Sequence, residues 1–363
     1  MIDSVPHNQG DLVKALILAG GFATRLRPLS CTRPKTLFPI VNKPLLQWIF
    51  ERLSKDGVDE AILAVNALTK FYIKQTKIPK QGLKIKFSVD PPKKPLGTGG
   101  PIKKAEKLLG RNEPFIVLNG DIYAEIDYKK LLETHKKTKA LATIALCKVE
   151  DPCSFGVVEL EENKIKRFVE KPARGQAPSD LINAGAYVLN PEVFDYIPKG
   201  KHISIERDVF PKIAEQGRLS GLVIEGLWKD IGKPQEYLEA NKAVLDTIEN
   251  IRKEEKTCFK LNSPSALDKA VSIGEKSVIG PYAIVGRNVK IGKGVSISNS
   301  IILSDTEICD YATIKGAIIG EGACIGEYAK ISNGCVVGDK VKIKDEVQLN
   351  EKTTVCPAKE INF

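Results

Sequence analysis

From Ile273 to Ile343 an aliphatic residue returns at nearly every sixth position, often with glycine after it. The positions are Ile273-Gly274, Ile279-Gly280, Val285-Gly286, Ile291-Gly292, Ile297, Ile308, Ile314, Ile319-Gly320, Ile325-Gly326, Ile331, Val337-Gly338 and Ile343. A fixed short period means stacked equivalent units, each burying its aliphatic side chain against the coil above and the coil below. The beat slips by one residue between Ile297 and Ile308 and again between Ile314 and Ile319. This part of the chain therefore has to fold as a solenoid.

The preceding part follows a different rule. Up to about Gly232, short β-branched runs alternate with helical patterns: strands over 13–19, 61–65, 115–118, 141–147, 156–160 and 186–189, and helices over 45–55 and 101–109. Strands interleaved with helices predict an α/β fold, a mostly parallel sheet with helices on both faces, whose ligands bind beyond the carboxyl ends of the strands. A helical stripe of Tyr237, Asn241, Val244, Leu245, Ile248 and Ile251 predicts a helix over 234–256, and the polar stretch 260–264 continues the connection. The expected organisation is an N-terminal extension over 1–12, an α/β domain over 13–256, and a linker with the repeat domain over 257–363. A chain of 363 residues is long enough for two cores.

The net charge of +10 raises the question of nucleic acid, but lysines and glutamates are intermixed and no basic run carries interleaved aromatics. We expect no nucleic-acid partner. No apolar stretch reaches membrane-spanning length and residues 1–12 lack a basic-then-apolar order, so we expect a cytoplasmic protein without a membrane partner. The eight cysteines form no Cys-x-x-Cys pair and the three histidines are scattered, which argues against zinc and leaves the thiols as small buried side chains.

Chemistry concentrates around the first strand. An apolar run ends in Ala19-Gly20-Gly21, where the backbone can approach a ligand and turn its N–H groups toward it. Arg25, Arg27, Arg33 and Lys35 follow at once and can neutralise the phosphates of a nucleoside triphosphate. Downstream, Asn119-Gly120-Asp121 ends a strand in a carboxylate, and Pro95-Leu96-Gly97-Thr98-Gly99-Gly100 opens a helical segment that Thr98 could cap.

The run from Gly20 to Ser30 with Pro34-Lys35 resembles the signature of sugar-1-phosphate nucleotidyltransferases, with Ala23 and Thr36 where many members carry glycine and proline. The resemblance extends to Asn119-Gly120-Asp121, to Phe168-Val169-Glu170-Lys171-Pro172 and to Trp228-Lys229-Asp230-Ile231-Gly232. It also makes the repeats a left-handed parallel β-helix, and it points to the branch that joins GTP to mannose-1-phosphate. By that resemblance, Ala19, Gly20, Gly21, Asn66, Gly97 and Thr98 hold the nucleotide, and Gly156, Glu170, Lys171 and Asn183 hold the sugar phosphate. Asp121 and Asp230 hold Mg²⁺, and Arg25, Lys35 and Lys171 act on phosphates. Two carboxylates suit Mg²⁺, which keeps much of its hydration.

The sugar phosphate is already an anion, so an in-line attack on the α-phosphorus requires alignment and charge neutralisation but no general base. Related chains that use glucose- or N-acetylglucosamine-1-phosphate with UTP, dTTP or ATP share this chemistry. An acyltransferase role for the repeats would need a histidine base, and none follows His202. A scaffold without catalysis would be expected to lose the basic signature or the carboxylates, which are present. The coil stack offers flat faces for homo-oligomer formation.

Overall fold

The computed structural model describes residues 12–21, 23–92, 95–248 and 258–362. The expected N-terminal extension therefore lies outside the described residues except for Leu12, as does the part of the expected helix after Ile248. The chain forms two compact units, the described residues of Met1–Gly21 with Leu46–Trp228, and those of Phe22–Leu45 with Lys229–Phe363.

The first unit is built on nine strands: β1 Lys14–Leu18, β2 Glu60–Val65, β3 Lys84–Val89, β4 Phe115–Asn119, β5 Ala142–Lys148, β6 Gly156–Glu161, β7 Lys164–Glu170, β8 Leu181–Leu189 and β9 Leu219–Val223. Their order across the sheet is β3-β2-β1-β4-β8-β5-β9-β7-β6. The first four run parallel, with Leu16 beside Ile62 and Val117. Strand β8 runs against both β4 and β5, and β7 against both β9 and β6, so the rest share one direction. This is the Rossmann-like sheet expected from the alternation.

The central strands are apolar along their whole length because both faces are covered. Ile62, Val117 and Ile144 have no exposed surface and belong to one core with Phe115, Tyr187, Phe194 and Phe210. The runs Lys84–Val89 and Lys164–Glu170 mix charged with apolar residues: Ile85, Phe87 and Val89 are half-buried in the first, and Ile165 and Phe168 are buried on either side of a bulge in the second. The expected helix over 101–109 is two short pieces, Gly99–Lys104 and Glu106–Leu109, while Leu45–Lys55 is helical as expected.

In the second unit, helix Pro234–Thr247 leads toward three six-stranded parallel sheets. Each strand has two or three residues, and each sheet takes every third strand, so six coils stack as a left-handed β-helix. The repeat positions from Ile279 to Ile343 line one continuous interior. Ile302 fills the slot at the first slip: it pairs with Val285 below and Ile319 above. The slips shorten two coils without breaking register, since Val278 pairs with Ser296 while Ser296 pairs with Thr313 one residue sooner.

All eight cysteines are free thiols, but only Cys147 and Cys335 are buried. Cys31, Cys258 and Cys356 are exposed, contrary to the expectation that the thiols fill core space. No helix among the described residues is long and apolar enough to cross a membrane.

Candidate active site

In the first unit the parallel strands β1, β2, β3 and β4 deliver polar residues from their carboxyl ends. Ala19 donates its N–H to Ala64 O at 2.9 Å, and Gly20 and Gly21 follow. Asn66, directly after β2, does two jobs. Its Nδ2 donates to Gly20 O at 3.0 Å, and its Oδ1 accepts from Thr69 N at 2.7 Å, capping helix Ala67–Thr76. A Cβ on Gly20 would stand 3.0 Å from Asp90 Oδ2, so the turn is backed by a carboxylate that follows β3. Burial pushes the Asp90 carboxyl above its usual range, and Lys104 works against that rise. Asp121 sits in the turn between β4 and the short strand Ile122–Ala124.

The Pro95–Gly100 loop is shaped by contact. Gly97 has φ +71°, and a Cβ there would collide with the backbone of Ile203. Thr98 is not the helix cap that its position suggests. Its hydroxyl donates to Glu206 Oε2 at 2.5 Å and accepts from Ile205 N at 2.9 Å. Glu206 lies 3.4 Å from the hydroxyl of fully buried Tyr187, which in turn receives Asn183 Nδ2 at 2.9 Å. Asn183 Oδ1 accepts from Gly185 N at 2.8 Å. One hydrogen-bonded line thus joins the expected base loop to the expected sugar pocket.

The sugar-pocket residues share strand ends. Gly156 pairs with Glu170 across β6 and β7, and a Cβ at 156 would meet the Phe168 ring at 2.5 Å and Glu170 Oε2 at 2.9 Å. Only glycine fits there. Burial and the Glu206 charge raise the Glu170 carboxyl above its ordinary range, against the pull of Lys171 and Arg207. Lys171 Nζ is 3.9 Å from Glu170 Oε1 and more than half exposed. Trp228 Nε1 donates to Ala184 O at 2.9 Å, and its ring meets Phe155 edge-on at 5.3 Å.

The second unit holds the cationic part. Ala23 takes φ 47°, the left-handed conformation that glycine adopts more readily, and Ser30 Oγ holds its carbonyl at 2.7 Å. Arg25 is exposed, whereas Lys35 is buried and pairs through Nζ with Asp230 Oδ1 at 3.1 Å. A Cβ on Gly232 would lie 3.0 Å from Asp230 Oδ2, 3.0 Å from Glu236 Oε2 and 3.2 Å from an Arg25 guanidinium nitrogen. Any larger residue at 232 would press on these three charged side chains. Arg33 departs from expectation: its guanidinium is spent on Asp339 at 2.7 Å and Glu321 at 2.9 Å, so it is not positioned as a phosphate ligand.

Residues 14–247 match the family described as Nucleotidyl transferase, and residues 261–363 match the GMPPB C-terminal domain. The chain belongs to the nucleotidyl transferase family. This nucleotidyltransferase is 40% identical over 277 residues to mannose-1-phosphate guanylyltransferase 1 of Arabidopsis thaliana, covering 74% of each chain. It is 41% identical over 242 residues to a mannose-1-phosphate guanyltransferase of Aspergillus oryzae, covering 65% of each. Among solved structures, HddC from Yersinia pseudotuberculosis complexed with GMP-PN is 33% identical with a TM-score of 0.54. That match covers 64% of this chain and 99% of HddC.

Glu206 and Asp90 carry no motif that marks them in the sequence, and Tyr187 falls within the expected strand over 186–189. None is marked by spacing, because each acts through a partner far away in sequence.

Proposed function

We propose that this nucleotidyltransferase joins mannose-1-phosphate to GTP, giving GDP-mannose and pyrophosphate. The observation that carries the reading is the likeness to chains named as mannose-1-phosphate guanylyltransferases, with the signature residues in place. Likeness to HddC complexed with GMP-PN supports a guanine nucleotide.

In this reading the backbone at Ala19, Gly20 and Gly21, braced by Asn66, receives the nucleotide. The Gly97–Thr98 loop, held by Glu206, bounds the base. Arg25 and Lys35 neutralise the triphosphate and the departing pyrophosphate. Gly156, Glu170 and Asn183 hold the sugar, and Lys171 meets its phosphate. The nucleophile is a phosphate oxygen that is already ionised, so the side chains orient and neutralise rather than take a proton. Asp121 and Asp230 offer hard oxygen donors of the kind Mg²⁺ takes, and two carboxylates, with phosphate oxygens and waters completing the shell, fit that use. When bound there, Mg²⁺ would neutralise charge on the phosphates of both substrates. We further propose that the protein works in the cytoplasm as a homo-oligomer assembled through its β-helix.

The test is pyrophosphate release with GTP, UTP, dTTP, ATP and CTP against mannose-, glucose- and N-acetylglucosamine-1-phosphate. Turnover confined to GTP with mannose-1-phosphate is the expected result. Preference for another pair would replace the substrate assignment, and no release with any pair would sink the enzymatic reading.

A further inference from the structure

Within the six-coil β-helix one device recurs at three places, and one copy of it makes a further contact. At three places a glycine in one coil makes room for an aspartate in the next: Gly292 for Asp310, Gly320 for Asp339 and Gly326 for Asp345. In each, the aspartate Oδ1 accepts a backbone N–H from the residue after the glycine, at 2.8 Å: Lys293, Glu321 and Glu327 in turn. These bonds staple neighbouring coils, and in this respect the three aspartates are equivalent.

Among the described residues only Asp339 turns its second oxygen to the signature segment. Asp339 Oδ2 accepts from Thr32 Oγ1 at 2.6 Å and from the Arg33 guanidinium at 2.7 Å. Arg33 also reaches Glu321 Oε2 at 2.9 Å. Side chains of Arg33 and Asp339 are 16% and 8% exposed, so this ion pair is largely out of water. Burial works against the Arg33 charge, and the charges of Asp339 and Glu321 outweigh it, holding the guanidinium above its usual value. Breaking such a pair strands a buried charge, which is far costlier than losing a surface bridge.

Thr32 and Arg33 stand three and two residues before Lys35, and the same segment is held further along. Asn42 Nδ2 donates to Val285 O of the β-helix at 2.9 Å. Val41 N donates to Asn241 Oδ1 at 2.8 Å, and Tyr237 OH donates to Pro39 O at 2.5 Å. Lys35 thus lies between two anchorages, one on Asp339 and one formed by Tyr237, Asn241 and Val285. We propose that Asp339 is a positioning residue: through Thr32 and Arg33 the β-helix fixes the backbone that aims Lys35 at the nucleoside triphosphate. The inference rests on the assignment of Lys35 to the triphosphate.

The repeat supplies its own control. Asp339→Asn and Asp345→Asn both weaken a coil staple, but only the first releases the signature segment. With the triphosphate that the wild type turns over best, we expect Asp339→Asn to lower kcat/KM for the triphosphate by roughly 10–100-fold, the cost of a misplaced charged group, with KM for the sugar phosphate nearly unchanged. Asp345→Asn is expected to keep wild-type kinetics and to lower the thermal midpoint by less than Asp339→Asn, which also strands the Arg33 charge. Arg33→Met serves if Asp339→Asn does not fold and should show the same selective loss. The double variant Arg33→Met/Asp339→Asn should lose no more than either single change. Equal kinetics in Asp339→Asn and Asp345→Asn, equal losses toward both substrates, or multiplying losses in the double variant would each overturn the proposal. The wild type's own choice of triphosphate judges the functional reading separately, so the two can fail independently.

Discussion

The β-helix and the α/β unit put polar and apolar residues to use in opposite ways. In the β-helix a residue's role follows from its place in the period: Ile279, Ile297, Ile314 and Ile331 stand in register along one sheet and are all buried. In the α/β unit a residue's role follows from one particular partner. Thr98 occupies a helix-cap position but spends its hydroxyl on Glu206, and Asn66 both caps a helix and clamps a glycine turn. Substitutions at these apolar repeat positions should therefore cost stability at a uniform rate. In the second they should cost function, by amounts that no neighbouring position predicts.

The comparison breaks most readily at the charged groups. Lys35→Ala and Asp121→Ala are each expected to lower kcat by roughly 10²–10³-fold, the loss seen when one well-placed electrostatic contact to a developing charge is removed. The measurement is pyrophosphate release at saturating substrates, with circular dichroism to confirm folding. Near-normal turnover in either variant would refute its assignment. Next come the repeat positions. Ile297→Ala, Ile314→Ala and Ile325→Ala should each destabilise by about 2–5 kcal/mol, with similar values and unchanged kcat in the folded protein. Urea titration followed by activity at low temperature checks both halves. A large kcat loss in one of them would show that the coils are not interchangeable there.

Gly97→Ala mixes the two behaviours. Its φ of +71° and the Ile203 backbone beside the missing Cβ mean that the loop must move. Strain of about 1–3 kcal/mol is expected, together with a rise in KM for the triphosphate and little change for the sugar phosphate. Gly21→Ala sharpens the point, since nothing lies within 4 Å of a Cβ there and no intrinsic strain is expected.

Legibility in the sequence divides along the same boundary. A period is visible because it repeats a physical environment, so the coil positions could be read off directly, although Ile302, in the shortened step, was not among them. Central strands such as Phe115–Asn119 were legible because burial on both faces demands an unbroken apolar run. Strands Lys84–Val89 and Lys164–Glu170 were not, because half of their side chains face outward and their charges read as loop. Arg33 looked like Arg25, being another guanidinium in a basic cluster. What separates them is a carboxylate 306 residues away, and no local pattern carries that information. The same holds for Glu206, whose partners Thr98 and Tyr187 lie on other elements.

The smallest expected effect concerns Glu170, where function and stability should move in opposite directions. Its carboxyl is raised first by burial and then by the charge of Glu206. The folded state therefore holds that proton more readily than the unfolded chain does. By linkage, ionised Glu170 works against folding at neutral pH, and the penalty is relieved as pH falls through its raised value. Glu170→Gln removes the charge at constant shape, so it should raise the thermal midpoint at neutral pH, and this gain should shrink as the pH is lowered. The same change removes a charged acceptor for sugar hydroxyls, so KM for the sugar phosphate should rise roughly 3–10-fold. In the wild type that KM should climb as pH drops into the range just above ordinary carboxylates, and the climb should flatten in the variant. A Glu170→Gln protein that loses stability at neutral pH would mean that its carboxylate is a structural partner rather than a group kept charged for a ligand.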